Sequence, residues 1–130
     1  MSNPLLLDVV LYLKSQGLVI DDGIDAFRDF TPESPDNVIA LHEYPGDPSV
    51  PFDPAINRSI QISVRNLVAD EARKKALDIF RSLQSDNLIV NFTAERWGQV
   101  HLRQTPFRLG SDTSNRTTYC FNIGVTTSIE

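Results

Sequence analysis

Two stretches of the sequence alternate strictly between apolar and polar side chains. Their apolar positions are Ile60, Ile62 and Val64 in the first, and Tyr119, Phe121, Ile123 and Val125 in the second. Successive side chains of a strand point to opposite faces of a sheet, so each stretch predicts a strand with one buried face. The chain must therefore build a sheet and cover one side of it.

Further strands are predicted around these two. Residues 38–44 are rich in β-forming side chains and should pair antiparallel with residues 60–65. Shorter apolar segments follow at residues 88–90, at Val100 and Leu102, and at Phe107 and Leu109, where a turn at residues 110–115 precedes the last strand.

Two amphipathic helices are predicted, over residues 4–16 and 70–84. Asn3 is a helix-capping residue type with Pro4 at the first helical position, and Gly17 can adopt the left-handed conformation that ends a helix. Two helices packed with an antiparallel or mixed β-sheet define the α+β class. The 130 residues are expected to form a single domain over 1–130.

Residues 45–57 hold four prolines, at 45, 48, 51 and 54. Proline lacks a backbone N–H and cannot donate to a ladder of strand hydrogen bonds. This segment is predicted to be an extended, projecting loop. Asp21, Asp22 and Gly23 predict a solvated turn, because the alternate spacing of a calcium-binding loop is missing.

The formal net charge of −5 and the pI near 4.9 argue against binding to nucleic acid or an anionic membrane, which Lys and Arg would have to hold. Protein partners are expected instead. The single cysteine, Cys120, excludes an internal disulfide. The apolar run at residues 5–11 is too short to cross a bilayer and contains Asp8, so neither a membrane span nor a signal peptide is predicted.

Reactive side chains are sparse. His42, His101 and Cys120 are the candidates for a catalytic site, and no glycine-rich phosphate loop or pair of Cys or His residues at metal-ligand spacing is found. The sequence favours a binding or structural role, with no catalytic residue, cofactor or metal. A small thiol enzyme that uses Cys120 is the alternative from another class.

Three stretches carry a family resemblance: residues 36–46 (DNVIALHEYPG), residues 61–65 (QISVR), and residues 106–112 (PFRLGSD) with Asn115 and Arg116. They resemble the minor capsid proteins of tailed phages, a family similar to the tail terminators of long non-contractile tails. The resemblance extends from the first helix to the last strand and is weakest over residues 18–35.

The resemblance implies a structural virion protein made in the host cytoplasm and located at the junction of tail and neck. Terminators are small α+β proteins that close the tail tube with a hexameric ring. One ring face would bind the tail tube protein and the other the neck or head-completion proteins. A head-completion or stopper protein, which would bind on the portal side, is the alternative within the same class.

A ring subunit needs two different adhesive surfaces. Tyr44, Val50, Phe52 and Ile56, in or beside the proline-rich loop, are candidates for one contact, although the loop could also merely cross the surface. Trp97, in a predicted turn, is a second candidate anchor, with core burial as the alternative.

Net charge suggests how DNA would pass such a ring. Six copies at −5 each carry −30 in all, and an acidic lumen would let DNA slide through without specific binding. A lumen lined by Arg58, Arg65, Arg103 or Arg108 would contradict this expectation.

Overall fold

The computed structural model describes residues 4–45, 55–84 and 89–128. They form two helices and a mixed sheet of seven strands, so the α+β prediction is confirmed. In chain order the elements are α1 (Leu5–Ser15), β1 (Ala26–Arg28), β2 (Val38–Pro45), β3 (Ala55–Asn66), α2 (Ala69–Leu83), β4 (Ile89–Thr93), β5 (Arg96–Leu102), β6 (Phe107–Ser111) and β7 (Thr117–Ser128).

The strands lie in the order β1-β2-β3-β7-β5-β4. Only the β1–β2 pair is parallel among those described. Strand β3 pairs with β7 from Ala55 to Asn66, along the whole of β7, so β5 and β6 share the opposite edge of β7. Ile62 lies between Leu41 and Phe121, which places the alternating apolar residues of three strands on one face.

Both helices cover that face and enclose the core. The alternation seen in the sequence predicted this burial correctly for β3 and β7, since Ile60, Ile62, Phe121 and Ile123 are fully buried. Burial of a side chain of this size stabilises the fold by about 1.5–3 kcal/mol. The helices contribute one apolar stripe each, made of Leu5, Val9 and Leu13 in α1 and of Ala72, Ala76 and Ile79 in α2.

The end of α1 explains why the helix stops where the sequence predicted. Gly17 has a φ of 75°, and its N–H donates to the carbonyl of Lys14 at 3.0 Å. The N–H of Leu18 donates to the carbonyl of Leu13 at 2.9 Å, which completes a Schellman motif. At the other end Pro4 flanks the helix rather than opening it, and Asn3 lies outside the described residues.

An ion pair links α1 to β5 inside the molecule. Arg96 Nε donates to Asp8 Oδ2 at 2.6 Å, and both side chains are about 95% buried. Next to Arg96, Gly98 leaves room for the ring of Phe92, since a Cβ at Gly98 would lie 2.7 Å from Phe92 Cε2. The α1 side of the core thus combines a buried charge pair with close aromatic packing.

Two features of the secondary structure differ from what the sequence predicted. Strand β1 was missed because it has only three residues and follows an aspartate-rich turn. The predicted loop over residues 45–57 is too long, because β2 continues to Pro45 and β3 begins at Ala55. Residues 46–54 lie outside the described residues, and their projection from the sheet stays a prediction.

Candidate docking surface

The second face of the sheet, here called the outer face, carries small and polar side chains together with aromatic ones. The register defines two rows across it, one of Tyr44, Ser59, Gly124 and His101, and one of Phe27, Ala40, Ser63, Cys120 and Phe107. Both described helices pack on the opposite face; on the outer face Tyr44 and Phe107 are exposed, whereas Ala40 and Cys120 are buried.

The middle of the outer face is concave. A depression of about 260 Å³ lies between β6 and the segment that follows β1. Its lining residues are Thr31, Val38, Ala40, His42, Tyr44, Gln61, Ser63, Arg65, Leu109 and Thr118. Its walls mix apolar and polar side chains, and His42 and Arg65 are the basic residues among them.

The residues that the sequence suggested as anchors of a protein interface lie in different parts of the structure. Tyr44 is 47% exposed at the end of β2 and hydrogen-bonds Gln61 at 3.2 Å. Trp97 lies in strand β5 rather than in a turn, and its exposure of 55% removes the core-burial alternative. Ile56 belongs to β3, opposite Thr127, while Val50 and Phe52 lie outside the described residues.

The sequence pattern did not predict that two apolar side chains of β6 would be exposed to solvent. Phe107 and Leu109 alternate with polar residues like core positions, yet they are 40% and 60% exposed. They belong to the outer face, which the helices do not cover, and a register shift between Arg108 and Gly110 interrupts the strand. Alternation of apolar and polar residues predicts that a strand has two different faces, but it does not show which face the helices will cover.

Arg103 adds positive charge to the outer face. Its guanidinium lies over Gly124, where a Cβ would be 2.9 Å from Nη2, and that nitrogen donates to Ser59 Oγ at 3.2 Å. The missing side chain at Gly124 therefore lets Arg103 reach across β7 to β3.

Two arginines fix the segment that borders the depression. Arg65 donates to the carbonyls of Pro35 at 2.7 Å and Asp36 at 3.0 Å. Arg116 donates to the carbonyl of Glu33 at 2.5 Å and forms an ion pair with Asp112 at 2.8 Å. Burial, followed by the nearby Arg116 charge, lowers the pKa of Arg65. Residues 33–36 and the turn before β7 are held together through these guanidinium groups.

The Asp112 carboxylate gives this cluster a pH dependence. Its hydrogen bond from the Arg116 side chain, then those from the backbone N–H groups of Arg116 and Ser114, lower its pKa below the ordinary value of 3.8. A depressed folded-state pKa stabilises the fold above the ordinary value, and that stabilisation is lost as pH falls through the folded-state pKa.

We expect the urea midpoint of the wild type to fall more steeply than that of Asp112→Asn as the pH is lowered from about 5 through and below the ordinary carboxyl pKa of 3.8. The variant lacks the titrating carboxylate and has already lost this contribution at neutral pH. Parallel slopes for the two proteins would show that Asp112 contributes nothing to the acid sensitivity of the fold.

The three candidate catalytic residues lie on different strands, His42 on β2, His101 on β5 and Cys120 on β7. Cys120 alternates with Tyr119 and Phe121 and lies on the outer face, yet the structure buries it completely. Burial raises the pKa of its thiol, the opposite of what a nucleophile requires. Gln61 Nε2 lies 3.6 Å from its sulfur, while His42 and His101 occupy other rows of the outer face.

Over residues 4–45, 55–84 and 89–128, no group of three or more His, Cys, Asp or Glu side chains could hold a metal ion. Within the same ranges, neither helix combines the length and apolar character that a membrane span requires.

The structure is an α+β fold whose exposed aromatic residues include Tyr44 and Phe107 on the face of the sheet that the helices do not cover. The model of the bacteriophage tail terminator protein family matches residues 12–129. The chain belongs to this family and has a structural role in the phage tail. A search of the curated proteins found no match.

Proposed function

We propose that the protein terminates a long, non-contractile phage tail as a ring of identical subunits, six in number, at the junction of tail and neck. The match to the tail terminator family over residues 12–129 carries the proposal. The ring binds the last ring of tail tube protein, and its other side receives the neck or head-completion protein. The role is structural and requires no catalysis or cofactor.

Exposed aromatic side chains supply the contacts in this proposal. Tyr44 and Trp97 are both about half exposed on a rigid sheet, which limits the entropy lost when they are covered. Val50, Phe52 and Ile56 are further candidates for the same contact, from their positions in the sequence beside Tyr44 and the prolines. Large aromatics on stiff supports are the residues that most often dominate protein interfaces.

The ring lets DNA pass without binding it specifically. Two of the four arginines that could oppose this are engaged, since Arg58 forms an ion pair with Glu43 at 3.3 Å and Arg65 is buried against backbone carbonyls. The formal charge of −5 per subunit supports an acidic lumen.

The decisive experiment adds the purified protein to growing tail tubes and, separately, to DNA-filled heads without tails. We expect it to stop tube elongation and to appear in electron micrographs as a ring at one tube end. Cys120→Ser is the matched control and should cap tubes as the wild type does. Binding to heads with no effect on tubes would instead identify a stopper protein, and loss of capping in a folded Cys120→Ser variant would revive the thiol-enzyme alternative.

A further inference from the structure

Three arginines are buried in the described part of the chain, and Arg65 differs from the other two in its partners. Arg96 and Arg116 each form an ion pair with a carboxylate. Within residues 4–45, 55–84 and 89–128, Arg65 forms no ion pair, because its guanidinium donates to main-chain carbonyl oxygens of residues 33–36. A buried cation is normally paired with an opposite charge. Arg65 is therefore a buried positive charge whose hydrogen-bond acceptors are all neutral.

Arg65 lines the depression on the outer face. The strand register places it directly opposite Thr118 of β7, with Ser63 two residues before it on the same face. The hydroxyl groups of Ser63 and Thr118 have no hydrogen-bond partner among the described residues, so both can donate to an incoming group. His42 is the second basic residue of the walls, and the described lining includes no aspartate or glutamate. A carboxylate that enters the depression would meet donors and no like charge on its walls.

The acidic residues around Arg65 are engaged elsewhere or lie on another side of it. Arg116 forms ion pairs with the three carboxylates of this region, those of Glu33, Asp36 and Asp112. Asp25 and Glu71 line a second depression, of about 230 Å³, that also borders Arg65. Their charges would repel an anion that approached from there. The outer face is therefore the side from which a carboxylate can reach Arg65.

We propose that the depression on the outer face binds a glutamate or aspartate side chain of the tail tube protein, whose carboxylate pairs with Arg65. This inference rests on the proposed function, in which the tail tube protein is a partner. A buried guanidinium with only neutral acceptors gains a charge-assisted hydrogen bond when a carboxylate arrives. The volume of about 260 Å³ is smaller than the roughly 300–1,000 Å³ of typical small-molecule sites, so it suits a single side chain.

A carboxylate placed in the depression from within the chain tests the site without any partner. Thr118 is partly buried, lies opposite Arg65 and lines the depression, so Thr118→Glu brings an anion beside the guanidinium. Thr118→Gln is the matched control, because it has nearly the same size but no charge. We expect a higher urea midpoint at pH 7 for Thr118→Glu than for Thr118→Gln, since cross-strand pairs of opposite charge stabilise a sheet. An equal or lower midpoint would show that the depression does not favour a carboxylate and would overturn the inference.

Binding to purified tail tubes tests the partner. Thr118→Glu occupies Arg65 and repels an incoming carboxylate, so it should bind tubes about 30-fold or more weakly than Thr118→Gln in a cosedimentation assay. Gln84→Glu controls for the added charge itself, because Gln84 is exposed at the end of α2 and does not line the depression. Its binding to tubes should equal that of the wild type.

The outcomes separate this inference from the proposed function. Equal tube binding by Thr118→Glu and Thr118→Gln would overturn the assignment and leave tail termination intact. Weaker self-association of Thr118→Glu in native mass spectrometry, or weaker binding to tailless heads with tube binding unchanged, would place the carboxylate on a second copy or on a neck protein and would overturn the choice of the tube. A wild type that does not stop tube growth would overturn the proposed function, whereas the two urea midpoints would still decide whether the depression accepts a carboxylate.

Discussion

Asp8→Ala is expected to lower the free energy of unfolding by about 3–5 kcal/mol, because it leaves the Arg96 guanidinium buried without the carboxylate that balances its charge. The contact is short, at 2.6 Å, and both side chains are nearly inaccessible to water. Urea denaturation of the wild type and the variant would measure the loss.

The double variant Asp8→Leu with Arg96→Met is the matched control. It removes both charges and fills the space with apolar atoms, which often costs little when a buried ion pair is replaced. We expect it to recover most of the stability lost in Asp8→Ala. A double variant as unstable as the single one would show that the shape of this site, rather than its unbalanced charge, decides the outcome.

The second large effect is expected from Arg65→Ala, which should destabilise the protein by about 2–3 kcal/mol. The guanidinium satisfies the carbonyls of Pro35 and Asp36 at a position that is only 8% exposed, and hydrogen bonds from charged donors to such groups are among the stronger ones. Residues 33–36 should then become more accessible to hydrogen exchange.

Arg103→Ala is the control for Arg65→Ala, because it removes an arginine that does not hold residues 33–36 in place. Arg103 is exposed on the outer face, and its removal should change the free energy of unfolding by less than about 0.5 kcal/mol. Equal losses for the two variants, or unchanged exchange at residues 33–36 in Arg65→Ala, would contradict the role assigned to Arg65.

Periodicity predicted the long elements well because their pattern extends over many residues. The core positions of β3 and β7 and the apolar stripes of both helices follow directly from spacing, and Gly17 ends α1 as expected. Strand β1 left no periodic signal in three residues. It forms because its partner β2 supplies hydrogen bonds, which is a property of the assembled sheet.

The candidate docking surface was only partly predictable. Tyr44 and Trp97 stood out as aromatic residues near turn signals, and both are exposed. Phe107, Leu109 and Cys120 could not be assigned, because the face covered by helices depends on how distant segments pack.

The central position of β7 affects when a subunit can become competent to assemble. This strand pairs with β3, β5 and β6, yet the ribosome produces it after all of them. Before Thr117–Ser128 emerges, β3 has an open edge, and the strands that hold Trp97 and Leu109 have no place in the sheet. The sheet that positions Trp97 and Leu109 can therefore be completed only after synthesis has passed this strand.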